Sequence, residues 1–217
     1  MRTAFRSLLL AGVVGPLLFI VAFIVEGLMR PGYSAWRHFV SQLATGDGGW
    51  VQTTNFLVCG TLVAAFAIGL RQALRGGRAS VAAPILMFLF GCSLIVAGVF
   101  TTDPALGYPV GVLQTHTVHG MIHGLAGLAA FTLLPACALV MTRRFAGDAA
   151  TRRWAIYSAL VAVVIIGGFI AGDVFSTLDA RGALPNAPTG FVQRIAIIAG
   201  WTWIAMVATR ELRARRE

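Results

Sequence analysis

The most informative feature of this sequence is how little charge it carries. Only 12% of its 217 residues are charged, 58% are hydrophobic, and the mean hydropathy is +0.81. A water-soluble domain carries about 25% charged residues, so the composition excludes an ordinary soluble protein. In lipid, every backbone polar group must be satisfied inside the protein, which leaves helices or a closed barrel. The apolar runs are long and continuous, and they therefore predict an all-α integral membrane protein.

Two other shortages exclude further classes of protein. The chain has no lysine, and its seventeen arginines stand mainly at the ends of apolar segments. Membrane topology explains that placement better than nucleic-acid binding does, so no nucleic-acid partner is predicted. The only cysteines, Cys59, Cys92 and Cys137, each lie inside an apolar segment. Their spacing matches neither a disulfide framework nor a metal motif, which makes them packing residues.

Six apolar segments predict a bundle of six transmembrane helices that forms a single transmembrane domain over residues 1–217. The predicted spans are about 8–28, 51–70, 80–101, 115–142, 154–177 and 191–209, and about 20 apolar residues suffice to cross the hydrocarbon. Between the first two spans, apolar and polar residues alternate at helical spacing from Ser34 to Gly46. This pattern predicts a short interfacial helix. No internal repeat is evident, which argues against transporters built from inverted repeats.

The arginines also predict the orientation in the membrane. Thirteen of them fall at the termini and in loops two-three and four-five, and four fall on the opposite side. This asymmetry predicts the cell (plasma) membrane with both termini cytoplasmic. The unusual polar groups then gather on the extracytoplasmic side. Because ionisable groups inside spans cost about 2.5–3.5 kcal/mol each and usually mark function, a polar pocket is predicted there.

Three of the four histidines stand within eight residues at the start of the fourth segment. At about 100° per residue, His116, His119 and His123 share one helix face. Histidines four residues apart are a spacing used to bind zinc. This histidine cluster predicts a site for zinc or another divalent metal, completed by a carboxylate from Glu26, Asp103 or Asp173. The alternative is that the histidines form hydrogen bonds between helices.

Several other polar residues have a purely structural alternative. Glu26 stands four residues before Arg30, so the two can form an ion pair on one helix. Asp103 precedes a proline and favours a turn. For Asp173, the preferred alternative is an ion pair with Arg194 of the sixth segment.

Ordered motifs along the chain resemble the domain of unknown function 998 family. They are Arg30-Pro31-Gly32-Tyr33, Arg37-His38 with Ser41, residues 49–56, residues 98–104, Gly107-Tyr108-Pro109, the histidine stretch, and Gln193-Arg194 with Trp201. The resemblance covers essentially the whole chain and implies a multi-pass bacterial membrane protein without an established activity. A looser likeness to intramembrane zinc hydrolases of lipid amides rests on scattered Ser, Asp and His, and no residue role is carried over from it.

The sequence therefore supports three hypotheses and leaves open whether the protein is an enzyme. The leading one is binding of a membrane lipid or other amphiphile at the outer pocket, through Arg30, Tyr33, Arg37, His38, Ser41, Gln193 and Arg194. Guanidinium groups suit an anionic head group such as phosphate. The second is a metal-dependent hydrolase of a lipid, in which His116, His119 and His123 hold zinc and Glu26, Asp103 or Asp173 acts as ligand or base. The third is a small transporter. Assembly into a homo-oligomer stays open.

Overall fold

The computed structural model describes residues 2–74 and 76–214, without the side chain of Arg2. It contains six long helices and, in these residues, no β-strand. The helices are α1 (Arg2–Met29), α2 (Trp50–Ala73), α3 (Ala82–Val99), α4 (Val118–Phe145), α5 (Arg152–Ala180) and α6 (Thr189–Arg213). All six are long and apolar enough to cross a membrane. The predicted all-α, multi-pass membrane protein is confirmed.

The six helices form a closed ring in the order of the chain. Each packs against its neighbours in sequence, and α1 packs against α6. Contacts between neighbouring helices pair the start of one with the end of the other, as between Leu8 and Gly69 or between Ala97 and His123, so successive helices run in opposite directions. The first and last described residues, Arg2 and Ala214, therefore lie at one end of the ring, called here the termini end. The loops 30–49, 100–117 and 181–188 lie at the other, called the cap end.

Helix α1 shows how the apolar sequence divides between lipid and core. Leu9, Phe19, Phe23 and Glu26 recur at helical spacing and are buried. The opposite face is equally apolar but exposed, at Leu10, Val14, Leu17, Val21, Ile24 and Leu28. A helix that is apolar all round is expected in lipid, where the outer face does not contact water. What distinguishes the inner face is aromatic bulk and one buried carboxylate.

Helices α2 and α3 approach each other most closely where two glycines face across the interface. A Cβ atom built on Gly60 would lie 2.8 Å from the carbonyl oxygen of Gly91, and one built on Gly91 would lie 2.7 Å from the carbonyl oxygen of Gly60. Both distances are below any real contact of a Cβ atom. Small residues permit such close backbone packing between membrane helices, where no hydrophobic effect drives association.

We expect Gly60→Ala to destabilise the bundle by about 1–2 kcal/mol, because the added methyl group forces α2 and α3 apart. The measurement is the thermal unfolding midpoint of the detergent-purified protein. Gly167→Ala is the matched control, since a Cβ atom on that helical glycine meets nothing within 4 Å. Equal midpoints for the two variants would contradict the proposed close packing.

The interfacial helix predicted over 34–46 is not confirmed. The structure has turns in this segment and a short 3-10 helix at Val40–Ala44. The residues predicted to form a polar, water-facing side include His38, Gln42 and Thr45, and all three are buried. The amphipathic pattern is misleading here because these polar side chains bind backbone groups of their own segment and of the loop after α3.

Candidate functional site

The segment 30–49 covers the cap end of the ring and is called the cap. Its main attachment to α6 is Arg194. This side chain donates from Nη1 to the carbonyl oxygens of Gly190, Ala35 and His38 at 2.9, 2.7 and 3.0 Å. It donates from Nη2 to the hydroxyl of Tyr33. Arg194 thus binds acceptors of the cap and of its own helix, which gives it a structural role at the junction of the two.

A second attachment joins the cap to the end of α5. Arg37 donates from Nε and Nη2 to the two carboxylate oxygens of Asp179, at 2.6 and 2.7 Å. The Asp179 side chain is almost fully buried, whereas about a third of the Arg37 side chain is exposed. Hydrogen bonding to Asp179 raises the pKa of Arg37 further above its ordinary value. Sequence reasoning missed Asp179 and chose Asp173 as the acidic partner on this helix.

The cap is also joined to the loop that follows α3. His38 contacts the carbonyl oxygen of Leu106 through Nε2 at 3.2 Å, and its Nδ1 accepts from the backbone N–H of Ser34 at 3.0 Å. This pair fixes the neutral tautomer with hydrogen on Nε2. Burial lowers the pKa of His38, which favours the same neutral ring. The Gln42 amide donates to the carbonyl oxygen of Ala105, so two side chains of the cap hold adjacent backbone carbonyls.

Two further cap residues meet partners inside the protein. Arg30 donates from Nη2 to the carbonyl oxygen of Leu43 at 2.9 Å and also to that of Thr45. Its Nε lies 3.8 Å from Glu26, as the sequence spacing allowed. Tyr33 donates to the carbonyl oxygen of Phe39. Burial raises the pKa of Tyr33 to about 12, so its hydroxyl stays protonated and can donate.

Below the cap, the ring encloses a cavity of about 260 Å³. Its walls are mainly apolar, and each of the six helices contributes an aromatic side chain: Phe19, Phe56, Phe90, Phe131, Phe169 and Trp201. Trp201 stacks on Phe19 with ring centroids 4.2 Å apart. On α4 the wall contains Gly124 and Gly127, where an added Cβ atom would meet nothing within 4 Å. These two glycines leave room that larger side chains would occupy.

Four polar residues line this cavity, and none carries a formal charge when its histidine is neutral. They are Ser41 from the cap, Thr102 from the loop after α3, His123 from α4 and Gln193 from α6. Gln193 accepts from the backbone N–H of Val40 through Oε1 at 2.8 Å, which leaves its amide N–H groups available. His123 binds the carbonyl oxygens of Ala97 and Phe100 through Nδ1, both at 2.9 Å. The polar residues all lie towards the cap end.

The three histidines of the sequence motif do not share one helix face. Helix α4 begins at Val118, so His116 precedes it in an extended segment. His116 and His119 are exposed, and His123 is buried. Among residues 2–74 and 76–214, no group of three His, Cys, Asp or Glu side chains is placed to hold one metal ion. The geometry therefore adds nothing to the metal-dependent alternative.

The reason is a capping interaction that begins the helix later than predicted. Asp103 accepts from the backbone N–H and the hydroxyl of Thr117, at 2.8 and 2.7 Å. The Thr117 hydroxyl in turn accepts from the N–H of Gly120, as an N-cap residue does. The backbone hydrogen bond from Thr117 holds the pKa of Asp103 below its ordinary value. This catalytic candidate thus has a structural role at the start of α4.

The remaining acidic candidates lie apart from the cavity. Asp173 is exposed on α5, and the ion pair predicted between it and Arg194 is absent from the described structure. Glu26 is buried under the cap beside Arg30, and its two carboxylate oxygens have no hydrogen-bond partner in that region. Neither side chain lines the cavity.

Comparison with known families places most of the chain in one family. A family model described as "protein of unknown function (DUF998)" matches residues 13–210. The chain belongs to the DUF998 family. No curated protein and no solved structure matches it. The match includes the cap of this DUF998 protein, helices α2 to α5, and most of α1 and α6.

In the DUF998 protein, the candidates from the sequence fall into two groups at the cap end. Arg30, Tyr33, Arg37, His38 and Arg194 join the cap to the ring, and Ser41, His123 and Gln193 line the cavity. Sequence reasoning missed Thr102 and the aromatic walls, because single phenylalanines in an apolar segment carry no signal that separates a cavity wall from a lipid-facing position. Sequence reasoning missed Asp179 because the partner of this residue, Arg37, is distant from it in the sequence.

Proposed function

We propose that this DUF998 protein binds the apolar chain of a membrane amphiphile in the cavity beneath the cap. The observation that carries the proposal is an aromatic cavity with polar groups at one end only. Ligand sites are mostly apolar with a few polar groups that fix orientation. An amphiphile matches this division, with its chain among Phe56, Phe90 and Trp201 and its head near His123 and Gln193.

The arginine asymmetry supports an orientation for this binding protein. With both termini in the cytoplasm, as proposed from the positive-inside rule, the cap end faces away from the cytoplasm. The amphiphile then belongs to the outer half of the cell membrane. The proposal assigns the head group to the cavity residues and not to Arg30, Arg37 and Arg194. The hydrogen bonds of those arginines already go to carbonyl oxygens, to Tyr33 and to Asp179.

The test is to fill the cavity at the position where the structure has space. We expect Gly127→Leu to reduce co-purified or added amphiphile roughly tenfold or more, because its side chain would occupy the volume of the ligand chain. The measurement is mass spectrometry of lipids extracted from the detergent-purified variant and from the unaltered protein. The thermal unfolding midpoint should stay within a few degrees, since the added atoms enter open space.

Gly167→Leu is the matched control for this experiment. Gly167 is also a helical glycine with nothing within 4 Å of an added Cβ atom, but it is exposed and is not part of the cavity wall. This variant should keep the lipid content of the unaltered protein. The same lipids in the same amounts in all three proteins would overturn the proposed function.

A further inference from the structure

The polar atoms at the cap end of the cavity restrict the kind of head group that its ligand can carry. This inference rests on the proposed function, because it concerns the ligand of the same cavity. None of the residues that line the cavity is acidic, lysine or arginine. Transfer of an unpaired ionised group into such an apolar site is very costly. The guanidinium of Arg194, the residue after the cavity residue Gln193, has its hydrogen bonds committed to the cap and to Gly190. An ionised head group would therefore enter the cavity without a counter-charge.

His123 supplies one unused polar atom of known character. Its Nδ1 contacts two carbonyl oxygens, of Ala97 and Phe100, and carbonyl oxygens only accept. Nδ1 must therefore carry the hydrogen, and in the neutral ring Nε2 is then a hydrogen-bond acceptor. Within the described residues Nε2 has no partner, although His123 is buried and lines the cavity. An acceptor without a donor on a residue of the cavity wall favours a ligand that brings a donor.

Gln193 supplies the complementary group. Its Oε1 accepts from the N–H of Val40, which fixes the orientation of the amide and leaves Nε2 as the free donor. Ser41 and Thr102 add hydroxyl groups for which the described structure shows no hydrogen-bond partner. The end of the cavity thus presents an acceptor, a donor and two hydroxyls to one small head group.

The geometry points to a ligand with one apolar chain and an uncharged head that donates a hydrogen bond to His123 Nε2, as in a long-chain alcohol or monoacylglycerol. The cavity volume of about 260 Å³ lies near the lower limit of the volumes of ligand sites. It therefore favours a ligand with one apolar chain over a ligand with two. A hydroxyl group has the chemistry that both residues need, because it can donate to an acceptor such as His123 Nε2 and can accept from a donor such as Gln193 Nε2. A methyl ether of the same chain only accepts, and an ionised carboxylate only accepts and carries a charge.

The test uses quenching of the fluorescence of Trp201, which lines the cavity, by bromine atoms on the chain. The probes are dibrominated stearyl alcohol, its methyl ether and dibrominated stearate at a pH where the acid is ionised. Trp201→Phe identifies the signal of this tryptophan, and Gly127→Leu reports quenching from outside the cavity. We expect the alcohol to bind roughly three- to tenfold more tightly than the ether, as one hydrogen bond predicts.

Two variants separate recognition from folding. His123→Asn can still donate to the carbonyls of Ala97 and Phe100 but removes the acceptor at Nε2, and His123→Phe removes both. We expect the preference for alcohol over ether to disappear in each variant that keeps the unfolding midpoint. Tightest binding by stearate, or equal binding of all three probes, would overturn the uncharged donor head and leave the proposed function standing. Absence of any Trp201 quenching beyond that of Gly127→Leu would overturn both.

Discussion

Replacement of Arg194 by methionine is expected to give the largest loss of stability of any single change at the cap end. The variant leaves the carbonyl oxygens of Ala35, His38 and Gly190 and the hydroxyl of Tyr33 without their charged donor. It also removes the guanidinium that lies 5.9 Å from the ring centroid of Phe23. Unsatisfied partly buried acceptors cost about 1–3 kcal/mol each, so we expect a total loss of about 3 kcal/mol or more.

For a chain of this length, that loss corresponds to a fall of about 6–12 °C in the thermal unfolding midpoint. Arg181→Met is the matched control, because Arg181 is an exposed arginine at the same end of the ring with no side-chain partner in the described structure. Arg194→Lys should fall between the two, since one ammonium group cannot reach all four acceptors. A midpoint for Arg194→Met equal to that of Arg181→Met would show that the cap does not depend on this side chain.

Asp179→Ala is the second change with a large expected effect. Loss of one partner of a buried ion pair costs about 3–5 kcal/mol, and the partial exposure of Arg37 reduces the expected loss to about 2 kcal/mol. Asp173→Ala is the control on the same helix, and because Asp173 is exposed it should change stability by less than about 0.5 kcal/mol. The measurement is again unfolding of the purified protein in detergent.

A double-mutant cycle with Arg37→Ala tests the contact itself. If the two side chains act through their bidentate contact, the double variant should be little less stable than Asp179→Ala alone, and the coupling free energy should be about 1–2 kcal/mol. Additive losses from the two single changes would mean that each side chain stabilises the protein through other partners.

The six helices could be predicted because the signal for each one lies within its own segment of the sequence. Continuous apolar segments bounded by arginine, proline and glycine identify a membrane helix without any knowledge of its neighbours. The ends of the helices are harder to predict from the sequence, for a physical reason. The start of α4 depends on Asp103, which lies fourteen residues before Thr117 in the chain and accepts from its backbone. No short window of sequence contains both residues.

The sequence draws attention to residues at the cap end, but it does not predict what each of them contacts. Asp173 and Asp179 both stand near the same end of α5, and at six residues apart they lie about 120° from each other around the helix. Only the position of Arg37 in the folded cap decides which one is buried. In the same way, the sequence draws attention to Arg30 and Arg194, but most of their partners are backbone carbonyls, which no sequence pattern distinguishes.

The joining of the cap to α6 also has a consequence for biogenesis. Residues 33–40 follow the first helix and are synthesised early, whereas Gln193 and Arg194 belong to the last helix. Until α6 enters the membrane, Val40 N–H and the carbonyls of Ala35 and His38 lack the partners they have in the finished protein. A nascent chain with five helices therefore presents an unsatisfied cap at the membrane surface. The cap gains these partners only when the final helix joins the ring.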